Sequence, residues 1–142
     1  MQFIPKLMLT VVFLLIAFTW LSSCKKDDDP DPRDLQIKQL TATWNVSHVE
    51  NDDENVTAQF SGFTLAISGF NYQTTNGANP WPSGGTYSFK GNDLNTIIRS
   101  DGTEISIVEL TANTLVLSFN YNSLSNGRTS GITGDFIFSL TK

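Results

Sequence analysis

Leu40-Thr41-Ala42-Thr43-Trp44-Asn45-Val46 sets the pattern from which the rest of this chain is read. Trp44 and Val46 alternate with polar neighbours, which is the period of a half-buried β-strand with its aromatic residue turned inward. His48 continues in the same phase. Immediately upstream, Asp34 to Thr41 predicts a short helix of about two turns, with Asp34 as its cap and Leu35, Ile37 and Leu40 as a partial apolar face.

Downstream the alternation recurs with Phe63, Leu65 and Ile67, with Phe70 and Tyr72, with Tyr87 and Phe89, and with Ile105 and Ile107. It resumes with Leu115, Leu117, Phe119 and Tyr121 and ends with Phe136, Phe138 and Leu140, while Ile97-Ile98 is bounded like a strand without alternating. Turn chemistry separates these runs at Ser68-Gly69, Asn76-Gly77, Gly84-Gly85, Gly91-Asn92, Asp101-Gly102, Thr111-Ala112-Asn113 and Asn126-Gly127. Residues 35–142 are rich in Thr, Ser, Asn and Phe, a composition that favours strands over helices. The expected fold is therefore all-β, an antiparallel up-and-down meander of about eight strands behind one short helix. Such a meander either closes into a barrel or folds into a β-sandwich. Closure removes edge strands and encloses an interior, whereas a sandwich offers only its loops and faces.

The short helix, the Trp44 strand, the polar stretch after it and the Phe-rich strand beyond resemble the start of lipocalin-like proteins, where a Gly-x-Trp motif opens the first strand. Ala42 stands where that family carries glycine, and Arg128 is the counterpart of the family's arginine near the last strand, here placed before it. The resemblance implies a lipocalin-like barrel over residues 35–142, with Trp44 plugging its closed end. Small barrels are either filled by their own side chains or hold one small ligand, and both outcomes stay open here.

The first 23 residues read as a signal peptide: Lys6 is the cation of a short leader, and Leu7 to Leu21 is uncharged, apolar and shorter than the roughly 20 residues of a membrane span. Leu21-Ser22-Ser23-Cys24 resembles the lipobox of bacterial lipoproteins, which implies diacylation of Cys24, cleavage before it and acylation of the new amino group with fatty acids such as palmitate. Two or three chains anchor a domain stably where one does not. Cys24 is the sole cysteine, so no internal disulfide can form. Residues 24–34 are an acidic, proline-punctuated tether. Their Cys-Lys-Lys-Asp-Asp-Asp order resembles the export signal of surface-displayed lipoproteins in some Gram-negative bacteria. The expected location is the outer membrane, lipid-anchored and facing outward, with a periplasm-facing position as the alternative.

The chain is acidic, with a formal net charge of -5, and its cations form no run in the domain, so nucleic acid is not an expected partner. One histidine and one cysteine leave no multi-histidine or cysteine zinc site. The acidic run Glu50-Asn51-Asp52-Asp53-Glu54-Asn55 lacks the spacing of a calcium loop, and neither a metal nor a cofactor is expected. Nucleophile, nucleotide and dinucleotide motifs are missing as well, and the domain reads as a non-enzyme. The candidate ligand contacts are Trp81, held between Pro80 and Pro82 in a glycine-rich connection, with His48 and Tyr72. Trp81 either stacks on a ligand or folds back to cap one end of the barrel. Two functions follow: capture of a small apolar or sugar-like ligand at the cell surface, or a solid-cored interaction module serving an outer-membrane assembly.

Overall fold

A computed structural model describes residues 29–122 and 133–142, and the compact unit Asp31–Lys142 carries the fold. The expected signal segment, Cys24, most of the expected tether, the expected Asn126-Gly127 turn and Arg128 lie outside the described residues.

Helix α1 (Pro32–Leu40) begins earlier than capping by Asp34 predicts. Asp31 is the cap, accepting from the Arg33 backbone N–H at 2.9 Å. Pro32 sits in the first turn, where its missing N–H removes no helical hydrogen bond, and Asp34 follows where the helix dipole favours a negative charge. Pro32, Arg33 and Asp34 are thus helix rather than tether. Leu40 is fully buried at the other end.

The strands are β1 (Ala42–Asn51), β2 (Glu54–Asn55), β3 (Thr64–Ser68), β4 (Asn71–Thr75), β5 (Gly84–Lys90), β6 (Asp93–Arg99), β7 (Glu104–Leu110), β8 (Thr114–Tyr121) and β9 (Gly134–Thr141). Apart from the two-residue β2, they form an eight-stranded antiparallel meander. Closure is made by β1, whose Ala42–Asn45 pairs with β3 while Asn45–Asn51 pairs with β9. The fold is a closed barrel, and the sandwich is excluded because the first strand is hydrogen-bonded to both the second long strand and the last.

Most turns fall where Gly and Asn predict them, with Gly69, Gly91 and Gly102 at positive φ. The Gly84-Gly85 pair differs: both residues lie within β5, opposite Gln73 and Tyr72. A Cβ on Gly85 would stand 2.9 Å from the Tyr72 hydroxyl and 2.9 Å from the Ser100 hydroxyl, so close approach accounts for this glycine. The acidic run after β1 is also explained locally. Asp52 and Asp53 both take positive φ, 50° and 66°, and turn β1 directly into β2.

Most inward positions are filled by the predicted alternating residues, among which Trp44, Leu65, Ile105, Leu117, Phe136 and Phe138 are essentially inaccessible, whereas Phe70, expected in phase with Tyr72, is 41% exposed in the β3–β4 turn. Trp44 stands at the α1 end, where its indole N–H donates to the Leu40 carbonyl at 2.9 Å. The Lys142 ammonium lies 4.7 Å from its ring centroid. A cation from the end of β9 therefore covers the tryptophan. Gln36 ties α1 to the start of β6 through the Leu94 carbonyl, and Arg33 ties it to the β5–β6 turn through the Gly91 carbonyl.

Candidate functional site

The end of the barrel away from α1 collects the end of β1, a 3-10 turn over Thr57–Phe60, the loop between β4 and β5, and the β6–β7 turn. Within the β4–β5 loop, Asn76 and Ala78 adopt positive φ and the Trp81 N–H donates to the Gly77 carbonyl at 3.2 Å, folding the segment back on itself. A Cβ on Gly77 would meet the Trp81 Cβ at 2.5 Å, so only glycine permits this fold-back. Thr74 secures the loop's return by donating its hydroxyl to the Pro82 carbonyl at 2.6 Å.

The result is that Trp81 points into the barrel and is only 3% exposed. Its ring meets Phe119 at 5.4 Å and Phe138 at 5.8 Å in edge-to-face contacts, with Phe63 at 5.8 Å and Tyr72 at 6.1 Å completing the surround. Of the two positions open to Trp81 in sequence, the structure takes the fold-back. Among the described residues, a space beside the indole bordered by Leu65, Tyr72, Trp81, Arg99 and Leu117 has a volume of about 10 Å³. That volume suits about one water molecule and is far below the roughly 300 Å³ of a small-ligand pocket.

Above the indole lies Arg99, 2% exposed, a residue that pattern reasoning missed. Its guanidinium donates from Nε to Asp101 Oδ1 at 3.1 Å, from Nη2 to Asp101 Oδ2 at 2.5 Å and to the Thr103 hydroxyl at 3.1 Å, and from Nη1 to the Pro80 carbonyl at 2.7 Å. Its central carbon stands 5.0 Å from the Trp81 ring and 5.7 Å from that of Phe119. This fork and its aromatic bed compensate a charge that would be costly to bury alone. Partial burial pushes the Asp101 carboxyl up, but the Arg99 and Thr103 hydrogen bonds outweigh it and hold the group below its ordinary range. A signal for Arg99 did exist in the sequence: it is two residues after Ile97, in the inward phase, and two before an aspartate in an Asp-Gly turn.

Two polar atoms in this compartment are short of partners. The Trp81 Nε1 is buried without a hydrogen bond. The Tyr72 hydroxyl is also buried without a well-formed bond, although the Ser100 hydroxyl lies near enough to interact with it. Burial raises the Tyr72 pKa, so it stays a neutral donor.

His48 does not join Trp81 and Tyr72. The β1–β9 register shifts between Val46 and His48, so Ser47 forms a β-bulge and the alternation changes phase. Val49 takes the inward position at 0% exposure. His48 faces outward instead, 3.0 Å from Glu50 Oε1 and 3.2 Å from the Thr57 hydroxyl. On the outer wall, Thr43, Ala66, Asn71 and Gln73 border an open groove of about 340 Å³. Among the described residues, no group of three or more His, Cys, Asp or Glu side chains is placed to hold a metal ion.

A family model for the lipocalin-like domain matches residues 40–117, more than half of the chain. The chain belongs to the lipocalin-like domain family. The matched span contains Trp44, Trp81, Arg99 and Asp101, and the lipocalin-like barrel is completed beyond it by the end of β8 and by β9. Neither the curated proteins nor the solved structures contain a match. Lipocalin-like domains are generally binding proteins rather than enzymes, and their barrels suit small hydrophobic molecules.

Proposed function

We propose that this lipocalin-like domain is a binding protein whose ligand, a small flat apolar molecule, enters the compartment filled here by Trp81. The observation that carries the reading is the nature of the plug. Trp81 is delivered by a loop, it is surrounded by aromatic rings as a ligand would be, and its Nε1 has no hydrogen bond there. Lifting the loop leaves the strands intact and frees an aromatic-lined space with Tyr72 on its wall. In this reading Trp81 and Tyr72 serve the ligand, and His48 serves the outer surface. A second reading, an interaction module with a solid core, draws on the filled interior and the outer groove.

Titration of the full chain with N-phenyl-1-naphthylamine, a neutral fluorescent apolar probe, separates the two. Saturable binding by the unaltered chain, strengthened in Trp81→Gly, is expected for a displaceable plug. Binding by Trp81→Gly alone assigns the unaltered protein to the interaction reading.

The domain is further proposed to be lipid-anchored through Cys24 and displayed on the outer membrane, on the support of the Leu21-Ser22-Ser23-Cys24 lipobox and the acidic tether. Cys24→Ala is expected to abolish fatty-acid labelling and leave the precursor uncleaved. Replacing Asp27, Asp28 and Asp29 by Ala is expected to reduce protease access on intact cells. Unchanged access reduces the acidic run to a spacer.

A further inference from the structure

We infer that Arg99 is the specificity residue of this compartment and that the ligand is an aryl-alkyl carboxylic acid. The inference rests on the displaceable-plug reading. In the filled barrel, the loop supplies Arg99 with two things at once: the Pro80 carbonyl, which accepts from Nη1 at 2.7 Å, and the Trp81 ring, 5.0 Å from the guanidinium carbon. Lifting the loop takes both away. Asp101 and Thr103 remain, because they belong to the β6–β7 turn, but they engage Nε and Nη2. Nη1 is left facing an aromatic-lined space without the Pro80 carbonyl, and a buried donor on a cation is expensive to leave unsatisfied. A ligand that fills the space with hydrocarbon alone leaves that cost in place. One that carries an anionic oxygen removes it with a charge-assisted hydrogen bond, stronger than the one it replaces.

The displaced segment also sets the spacing. The Pro80 carbonyl carbon is joined to the indole through the Trp81 nitrogen, Cα and Cβ. A carboxylate joined to a flat bicyclic ring by a three-carbon chain reproduces this arrangement, so indole-3-butyrate fits the footprint of the plug.

Calorimetric titration of the full chain with indole-3-butyrate and with its uncharged amide tests the inference. The acid is expected to bind about tenfold or more tightly than the amide, the scale of one charge-assisted hydrogen bond. Arg99→Gln is expected to bring the two to equal affinity, and Arg99→Lys to retain part of the preference. The comparison of acid with amide on the unaltered chain stands even where a variant fails to fold. Equal binding of acid and amide there overturns the role of Arg99 while leaving the apolar-ligand reading in place. Binding of N-phenyl-1-naphthylamine but of neither indole compound has the same effect. Failure of all three overturns both.

Discussion

Trp44 and Trp81 fill opposite ends of one barrel, and they do so by different means. Trp44 is strand-borne, with its N–H paired to Leu40 and its ring under Lys142. Truncation to Ala is expected to cost about 3 to 5 kcal/mol in denaturant unfolding, as for other large buried aromatics. Asp101 supplies a different prediction because its effect depends on pH. Its folded pKa lies below the ordinary 3.8, so the stabilisation is present in full above that value and is lost as pH falls through the folded value. Asp101→Asn is expected to lose about 1 to 2 kcal/mol at neutral pH, less than for a fully buried pair because solvent reaches the carboxylate. The difference between parent and variant should begin to narrow below 3.8 and close only as pH falls through the lower folded value, and a gap that persists in stronger acid would remove the ion pair as its cause. Trp44 was legible from the strand it opens. Arg99 carried a signal in its phase and its nearby aspartate, but period-two reasoning looks for apolar residues and passes over an inward charge whose cover comes from a distant loop.

At the scale of elements, alternation identified the long strands because each presents one face to a single interior. It failed at Ser47, where an inserted residue changes phase inside β1, and nothing in the local sequence marks a bulge that is imposed by pairing with β9. The helix boundary moved for a related reason: Asp31 and Asp34 are both good caps, and Pro32 settles the choice by favouring the first turn. The hairpin between β1 and β2 permits a direct test of turn chemistry. Asp52 accepts from the Asp135 N–H and is needed, whereas Asp53 has a φ of 66° that glycine adopts more readily. Asp53→Gly is expected to raise stability by about 0.5 to 1 kcal/mol in thermal unfolding. A loss would mean that the Asp53 carboxylate has a role beyond the turn.

For the whole molecule, the number of strands and their antiparallel order were readable from turns and periodicity, while closure rested on family resemblance and the residual volume could not be read at all. Volume depends on where a loop tryptophan goes, and that follows from the fit of Gly77 against Trp81 rather than from composition. Closure has one more consequence, which concerns time rather than shape. The seam joins Asn45 to Thr141, so β1 has half of its partners only when the far end of the sequence arrives. Pairings this distant in sequence slow folding, typically to milliseconds or seconds, because the entropy of the intervening chain is lost before the contact repays it. Until then the first strand waits with one flank unpaired, and the barrel locks only once the whole chain from Asn45 to Thr141 is present.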